Sequence, residues 1–284
     1  MTRLANEECT SIRKEASFNL KDFCSLFDIY LLCTYIQTLH KDSNDSVRIY
    51  LMEAIVSLRD NPDLAKVYDF ISSTISTLSK DESWRVRLTV ADKIHEILAL
   101  PNAPDHLKQN VIEIFASLIV DPEGETRNTC CNRLESMADL IGTSESMNKI
   151  LIQLKKIQND NTAYVRSTLA HSLLRLAPLV GKARTSEYIF PIFLKMINDE
   201  IHDIRMILIK NLDRLHEVVN VDMYVQSIIP SLFEIASNKS WRTRVQIAES
   251  IIVIARILVI YSLKYFFRIK ICLWRIFYLS VSAG

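Results

Sequence analysis

The sequence has few of the residues that make tight turns. Its 284 residues include only four glycines and seven prolines. This is too few for the many turns of an all-β fold or for the glycine-rich loops that cradle phosphates. The nucleotide-binding motifs GxGxxG and GxxxxGKS/T and the nucleophile motif GxSxG are also missing. We therefore expect helices joined by short polar turns, and no cofactor.

A zinc-protease motif is also lacking, although two segments begin like one. His95-Glu96 and His216-Glu217 start the pattern HExxH, but the fifth residues are Ala99 and Asn220. No second histidine then lies on the same helical face to bind zinc. The sequence predicts no metal site and no catalysis by this chain alone.

Cysteine is scarce and irregularly spaced. The six cysteines lie at positions 9, 24, 33, 130, 131 and 272, without a CxxC pair, and the N-terminus lacks the apolar core of a signal peptide. We expect reduced thiols in a cytosolic or nuclear protein. Cys130 and Cys131 are consecutive on a helix, which predicts one thiol in the core and one at its edge.

Basic residues are not clustered in the main body of the chain. Residues 251–284 hold five Lys and Arg and no acid, which leaves 29 basic and 33 acidic residues in 1–250, a net charge of −4. Phosphate binding needs clustered Lys and Arg. The charge therefore disfavours nucleic acid as a partner and favours proteins.

What the sequence does contain is a repeat of about 39 residues. An arginine recurs at steps of 39, 40, 39, 39 and 39, and an Asp or Asn stands six residues before each one. The pairs are Asp42 and Arg48, Asp81 and Arg87, Asp121 and Arg127, Asp160 and Arg166, Asp199 and Arg205, and Asn238 and Arg244. A period of this length indicates a solenoid of stacked helical repeats.

The residue types of one repeat explain its geometry. A first helix, apolar at helical spacing, reaches a polar turn at Asp81, and a second helix begins near Trp84. Asp is suited to accept backbone N–H groups in such a turn. Each arginine is expected to reach the Asp of the preceding turn and to form a ladder. As surface ion pairs, these would set the register of the repeats and add little stability.

Glycines and prolines also recur at the repeat spacing. Gly142 and Gly181 stand 39 residues apart, where a helix end needs a left-handed residue. Pro191 and Pro230, also 39 apart, fall inside first helices and are expected to bend them.

With these features the chain resembles the HEAT-repeat family, and within it the scaffold subunit of type 2A serine/threonine protein phosphatase. The resemblance rests on SWRVR and SWRTR turns at Trp84 and Trp241, on NDSVR at Asn44 to Arg48, and on the segment Tyr188 to Val218. It implies an all-α solenoid of antiparallel helix pairs, with second helices on a concave side. It places the chain in the central repeats of a longer scaffold.

The expected organisation has three parts. Residues 1–26 form the second helix of a partial repeat, residues 27–258 form six repeats, and residues 259–284 form an atypical apolar and basic segment. The cations in 251–279 interrupt any apolar run long enough for a membrane span. We expect this segment to form part of a further first helix and to leave an apolar end exposed, which predicts self-association. A helix on a membrane surface is the alternative.

The resemblance also implies binding residues on the ridge formed by the turns within repeats. A regulatory B-type subunit would meet Arg13, Lys14, Ser83, Trp84 and Arg85, and the catalytic subunit would meet Trp241 and Arg242, weakly or not at all. Packing between repeats is the alternative role for each tryptophan. Another HEAT-repeat adaptor, such as a fragment of a nuclear-transport receptor, and a helical-repeat enzyme acting on nucleic acid remain open as alternative functions.

Overall fold

The structure, a computed structural model, describes residues 2–212, 215 and 223–236. The chain divides into two compact units, Met1–Gln153 and Leu154–Gly284. The described residues of both are helical and contain no strand. The first unit contains helices α1 Thr2–Ala5, α2 Thr10–Asn19, α3 Ile29–Leu39, α4 Asp45–Arg48, α5 Leu51–Ser57, α6 Tyr68–Leu78, α7 Trp84–Leu98, α8 Asp105–Leu118 and α9 Gly124–Ile141.

Three 3-10 turns of the first unit lie next to these helices, at Leu20–Phe23, Leu58–Asp60 and Leu64–Val67. Helix α10 Met147–Ile157 contains the division between the units. The second unit continues with α11 Ala163–Val180, α12 Lys182–Arg184, α13 Phe190–Met196, α14 His202–Lys210 and α15 Ile229–Ala236. The chain is an all-α solenoid of helical repeats.

Apolar side chains at helical spacing build the core of each repeat. In the first unit the second helices α5, α7 and α9 pack in succession, and the first helices α6 and α8 pack on one another. Their buried positions include Ile71, Ile75 and Leu78 of α6 and Val86, Val90, Ile94 and Ile97 of α7. Each such side chain contributes roughly 1.5–3 kcal/mol through burial. In the second unit α11, α13 and α14 pack together in the same way.

Several sequence predictions about helix ends are confirmed. Helix α7 begins at Trp84. Gly142 and Gly181 follow α9 and α11 with φ of 61° and 84°. Their ψ angles of −144° and 164° are extended, however, and this region is open almost only to glycine.

The recurring prolines lie inside helical segments, as expected, where the hydrogen-bond pattern of the helix changes. Each is preceded by a π-helical turn, Thr185–Ile189 before Pro191 and Tyr224–Ile228 before Pro230. Pro191 therefore lies at the start of α13. Proline has no N–H to donate, and a shift to the wider π-helical hydrogen-bond pattern accommodates that loss.

Two further expectations need correction. Cys130 and Cys131 are both buried, with 0% and 1% of their surface exposed, so neither thiol lies at the edge of the core. The N-terminal segment holds more than a second helix, since α1 precedes α2 and packs against both α2 and α3.

Candidate protein-binding ridge

The turn between the two helices of a repeat has one conformation in all five described cases. The Oδ1 atom of its aspartate accepts the N–H two residues ahead at 2.8–2.9 Å, as predicted for Asx turns. The aspartates are Asp42, Asp81 and Asp121 in the first unit and Asp160 and Asp199 in the second. The side chain therefore fixes the turn before any contact with another repeat.

An arginine near the start of each second helix closes the same turn from the other side. Its Nη1 donates to the carbonyl oxygen six residues earlier, at 2.6–2.8 Å. These bonds join Arg48 to Asp42, Arg87 to Asp81, Arg127 to Asp121, Arg166 to Asp160 and Arg205 to Asp199. The backbone of each turn is thus held by both residues of the repeated pair.

The rest of the guanidinium binds the carboxylate of the next turn. Nε and Nη2 of Arg48 donate to Asp81, 33 residues ahead, both at 2.7 Å. Arg87 and Asp121 are joined in the same way in the first unit, and Arg166 and Asp199 in the second. We call these contacts the Asp–Arg ladder. The expected direction was wrong: the carboxylate partner lies in the following turn, and the preceding turn offers its carbonyl.

The ladder is also more buried than expected. The side chains of Arg48 and Asp81 are only 6% and 10% exposed, so they are not surface ion pairs. Bidentate, charge-assisted hydrogen bonds of this kind are the strong ones. Removing one partner of a buried pair leaves the other charge uncompensated. We therefore expect that breaking one of these pairs destabilises the fold more than breaking a surface pair would.

The acidic and basic side chains of the ladder stabilise one another's charged forms. Burial acts to raise the pKa of Asp42, but hydrogen bonds from Arg13 and the Asn44 N–H, with the charges of Arg13 and Arg48, outweigh it and lower that pKa below its ordinary value. The hydrogen bond to Asp81 raises the pKa of Arg48. Both groups are therefore held in their charged forms.

Trp84 lies at the first position of α7, next to the ladder. Its indole is half-buried, and the guanidinium carbon of Arg85 lies 5.0 Å from the ring centroid. Ser83 Oγ donates to Asp45 Oδ2 at 2.7 Å, and Arg85 Nη1 lies 3.7 Å from the same oxygen. The sequence prediction missed Asp45. Asp45 precedes Arg48 by three residues, just as Trp84 precedes Arg87. This equivalent position in the repeat could have identified Asp45 from the sequence.

Arg13 occupies a ladder position as well as being a candidate binding residue. It donates to the Asp42 carboxylate and to the carbonyl of Glu7, which matches the pattern of Arg48. Its distance of 35 residues from Arg48 concealed this in the sequence, although Glu7 stands six residues before it. Lys14 follows on α2 and is half-buried.

Some of the predicted residues lie outside the described residues. These are Trp241, Arg242, Asn238, Arg244, Cys272 and the segment 259–284. None of the described helices combines the length and the apolar character of a membrane span.

The candidate reactive groups among the described residues are the buried thiols and the His, Asp and Glu side chains. No group of His, Cys, Asp and Glu among them has the arrangement of a metal site. Burial raises the pKa of Cys24 to about 12 and that of Cys33 to about 11, and it also raises the pKa of Cys130 well above its ordinary value. These thiols are poor nucleophiles at neutral pH.

Comparison with known proteins agrees with this geometry. Residues 104–181 match a family model described as PPP2R1A-like HEAT repeat. This segment, 78 of the 284 residues, is similar to HEAT repeats. No curated protein matches the sequence.

Solved structures similar to this chain share its solenoid fold. A triple mutant of Kap121p is 12% identical with a TM-score of 0.66, and the match covers 95% of this chain and 30% of that one. Kap121p itself is 14% identical with a TM-score of 0.64, covering 89% of this chain and 28% of its own. An engineered protein, target OR497, is 14% identical with a TM-score of 0.51, and the match covers 90% of this chain and 66% of that one.

Proposed function

We propose that this chain is a non-catalytic HEAT-repeat scaffold of a serine/threonine protein phosphatase, which captures a regulatory B-type subunit on its turns. The resemblance of the SWRVR turn and the match of residues 104–181 to a PPP2R1A-like HEAT repeat support this assignment. Scaffolds of repeated helices have protein partners, and we propose no nucleic acid and no membrane for this one. A cytosolic location, with or without a nuclear pool, follows from the same proposal.

The observation that carries the proposal is the setting of Trp84. Tryptophan and arginine are the residues most enriched in binding hot spots, and here Trp84 and Arg85 stand together on a turn. The ladder fixes the backbone of that turn through Arg87 and Asp81. A rigid aromatic anchor loses little conformational entropy when a partner binds it.

The other proposed contacts are secondary. Lys14 would add to the regulatory-subunit surface, with Arg13 acting through the turn that it holds. Trp241 and Arg242 would meet the catalytic subunit. We expect the catalytic subunit to be retained weakly or lost.

A direct binding experiment tests the proposal. The purified full chain is titrated against a purified B-type regulatory subunit, and Trp84→Ala is compared with Tyr30→Ala, which removes an exposed aromatic residue from the start of α3. Loss of a hot-spot side chain costs about 2 kcal/mol, which is roughly a thirtyfold change in Kd. We expect this change for Trp84→Ala only. Equal affinity of both variants and the unmodified chain would contradict the proposal.

Affinity purification separates the remaining functions. Recovery of a B-type subunit without the catalytic subunit is the expected result. A transport cargo instead would indicate an adaptor of the nuclear-transport class, whose fold-level support is the likeness to Kap121p. Tight, salt-sensitive retardation of a nucleic acid in a gel would indicate a nucleic-acid enzyme.

A further inference from the structure

The two residues that flank Trp84, Ser83 and Arg85, contact the preceding turn through side chains that are not part of the ladder. Asp45 Oδ2 accepts the Ser83 hydroxyl at 2.7 Å and lies 3.7 Å from Arg85 Nη1. Asp45 and Ser83 are 38 residues apart, so this contact joins two successive repeats. The same oxygen therefore holds the residues on both sides of Trp84.

The position of Arg85 explains why this contact concerns Trp84. The side chain of Arg85 is 62% exposed, and an exposed arginine without a fixed partner samples many rotamers. Here its guanidinium lies over the indole, 5.0 Å from the ring centroid, within the range of a cation–π interaction. Asp45 is an anion placed on the ridge where it favours that rotamer.

We propose that Asp45 is a positioning residue for the Trp84 anchor. Asp45 acts through Ser83 and Arg85, and it makes the binding strength of the turn at 81–85 depend on the turn at 42–45. The binding part of this inference rests on the proposed function, whereas the effect on Trp84 itself does not. A residue of one repeat thus orients the binding residue of the next repeat.

The first test needs no partner. The chain has three tryptophans, so its indole N–H signals form a simple NMR spectrum, and Trp84→Phe identifies one of them. Asp45→Asn keeps an oxygen for Ser83 but removes the charge that holds Arg85, and Ser83→Ala does the reverse. We expect Asp45→Asn to shift the Trp84 signal, and to cause no further shift in an Arg85→Gln background. Asp69→Asn is the control, since its side chain is 95% exposed.

The second test measures binding to the B-type subunit. Loss of an exposed cation–π contact changes affinity by roughly twofold to fivefold, so Asp45→Asn should weaken binding by that factor. It should have no effect in a Trp84→Ala background, because the residue that it positions is gone.

The outcomes are distinct. An unmoved Trp84 signal in Asp45→Asn would overturn the inference, whatever the partner does. So would an equal loss of binding with and without Trp84, since Asp45 would then contact the partner itself. If the unmodified chain binds no B-type subunit, the proposed function fails, and the NMR result alone decides whether Asp45 positions Trp84.

Discussion

The guanidinium of Arg87 binds the carboxylate of Asp121 through Nε and Nη2, at 2.7 and 2.9 Å. The same arginine donates from Nη1 to the carbonyls of Asp81 and Glu82. One side chain therefore connects the turn that precedes it to the turn of the next repeat. This makes stability a property of neighbouring repeats, as in solenoids generally.

Removing that side chain should destabilise the first unit. Arg87→Ala leaves the carboxylate of Asp121, a buried residue, without its cation, and we expect a loss of about 2–4 kcal/mol. Urea unfolding followed by circular dichroism measures it. Arg59→Ala is the control, because Arg59 is exposed and makes one long hydrogen bond of 3.4 Å. If the two variants are equally stable, the ladder sets the register of the repeats but does not stabilise the fold.

Replacing Thr126 with valine should stabilise the protein. The residue is fully buried, and its hydroxyl has no hydrogen-bond partner. The equivalent positions in other repeats, Val47, Val86 and Val165, are apolar. We expect Thr126→Val to raise the free energy of unfolding by about 1 kcal/mol. Thr74→Val is the matched control, since the buried Thr74 hydroxyl donates to Phe70 and should give no gain.

Gly142 should not tolerate a side chain, although there is space for one. A Cβ atom added there would meet no heavy atom within 4 Å, so any cost comes from the backbone. With φ of 61° and ψ of −144°, we expect Gly142→Ala to lose about 1–3 kcal/mol. Thermal unfolding of this variant beside Thr143→Ala measures the cost. A neutral Gly142→Ala would mean that the backbone relaxes at this helix end.

Acid should weaken the first turn through Asp42. The pKa of Asp42 is lower in the folded chain than its ordinary value of 3.8. Its ionised form therefore stabilises the fold above about pH 4, and that stability is lost as the pH falls through the lowered folded-state pKa. We expect the stability difference between the unmodified chain and Asp42→Asn to be constant above about pH 5 and to shrink below about pH 4. Urea unfolding at several pH values measures this, and a difference that is independent of pH would contradict it.

The repeat itself could be predicted because it depends on local chemistry. An aspartate that caps its own turn and apolar residues at helical spacing act within a few residues of chain. The turn at Asp81 and the start of α7 at Trp84 were therefore accessible from the sequence. The Asx turns have the same form in all five described repeats.

Contacts between repeats could be predicted from the sequence only in part. The spacing of 39 residues allows an arginine to meet the carboxylate of either neighbouring turn, and the sequence pattern does not choose between them. Arg13 was not recognised as a ladder residue because its spacing departs from the repeat. The Asp45 side chain contacts Ser83, 38 residues ahead, and a pattern within one turn does not reveal such a contact.

The sequence by itself determined the helical class, the period and the residues that close each turn, since these depend on interactions within one repeat. Only the tertiary structure decided that Arg48 pairs forward with Asp81, that both Cys130 and Cys131 are buried, and that Asp45 contacts Ser83 and Arg85. The physical reason is that these contacts depend on how neighbouring helices stack. The order of residues does not encode that stacking directly.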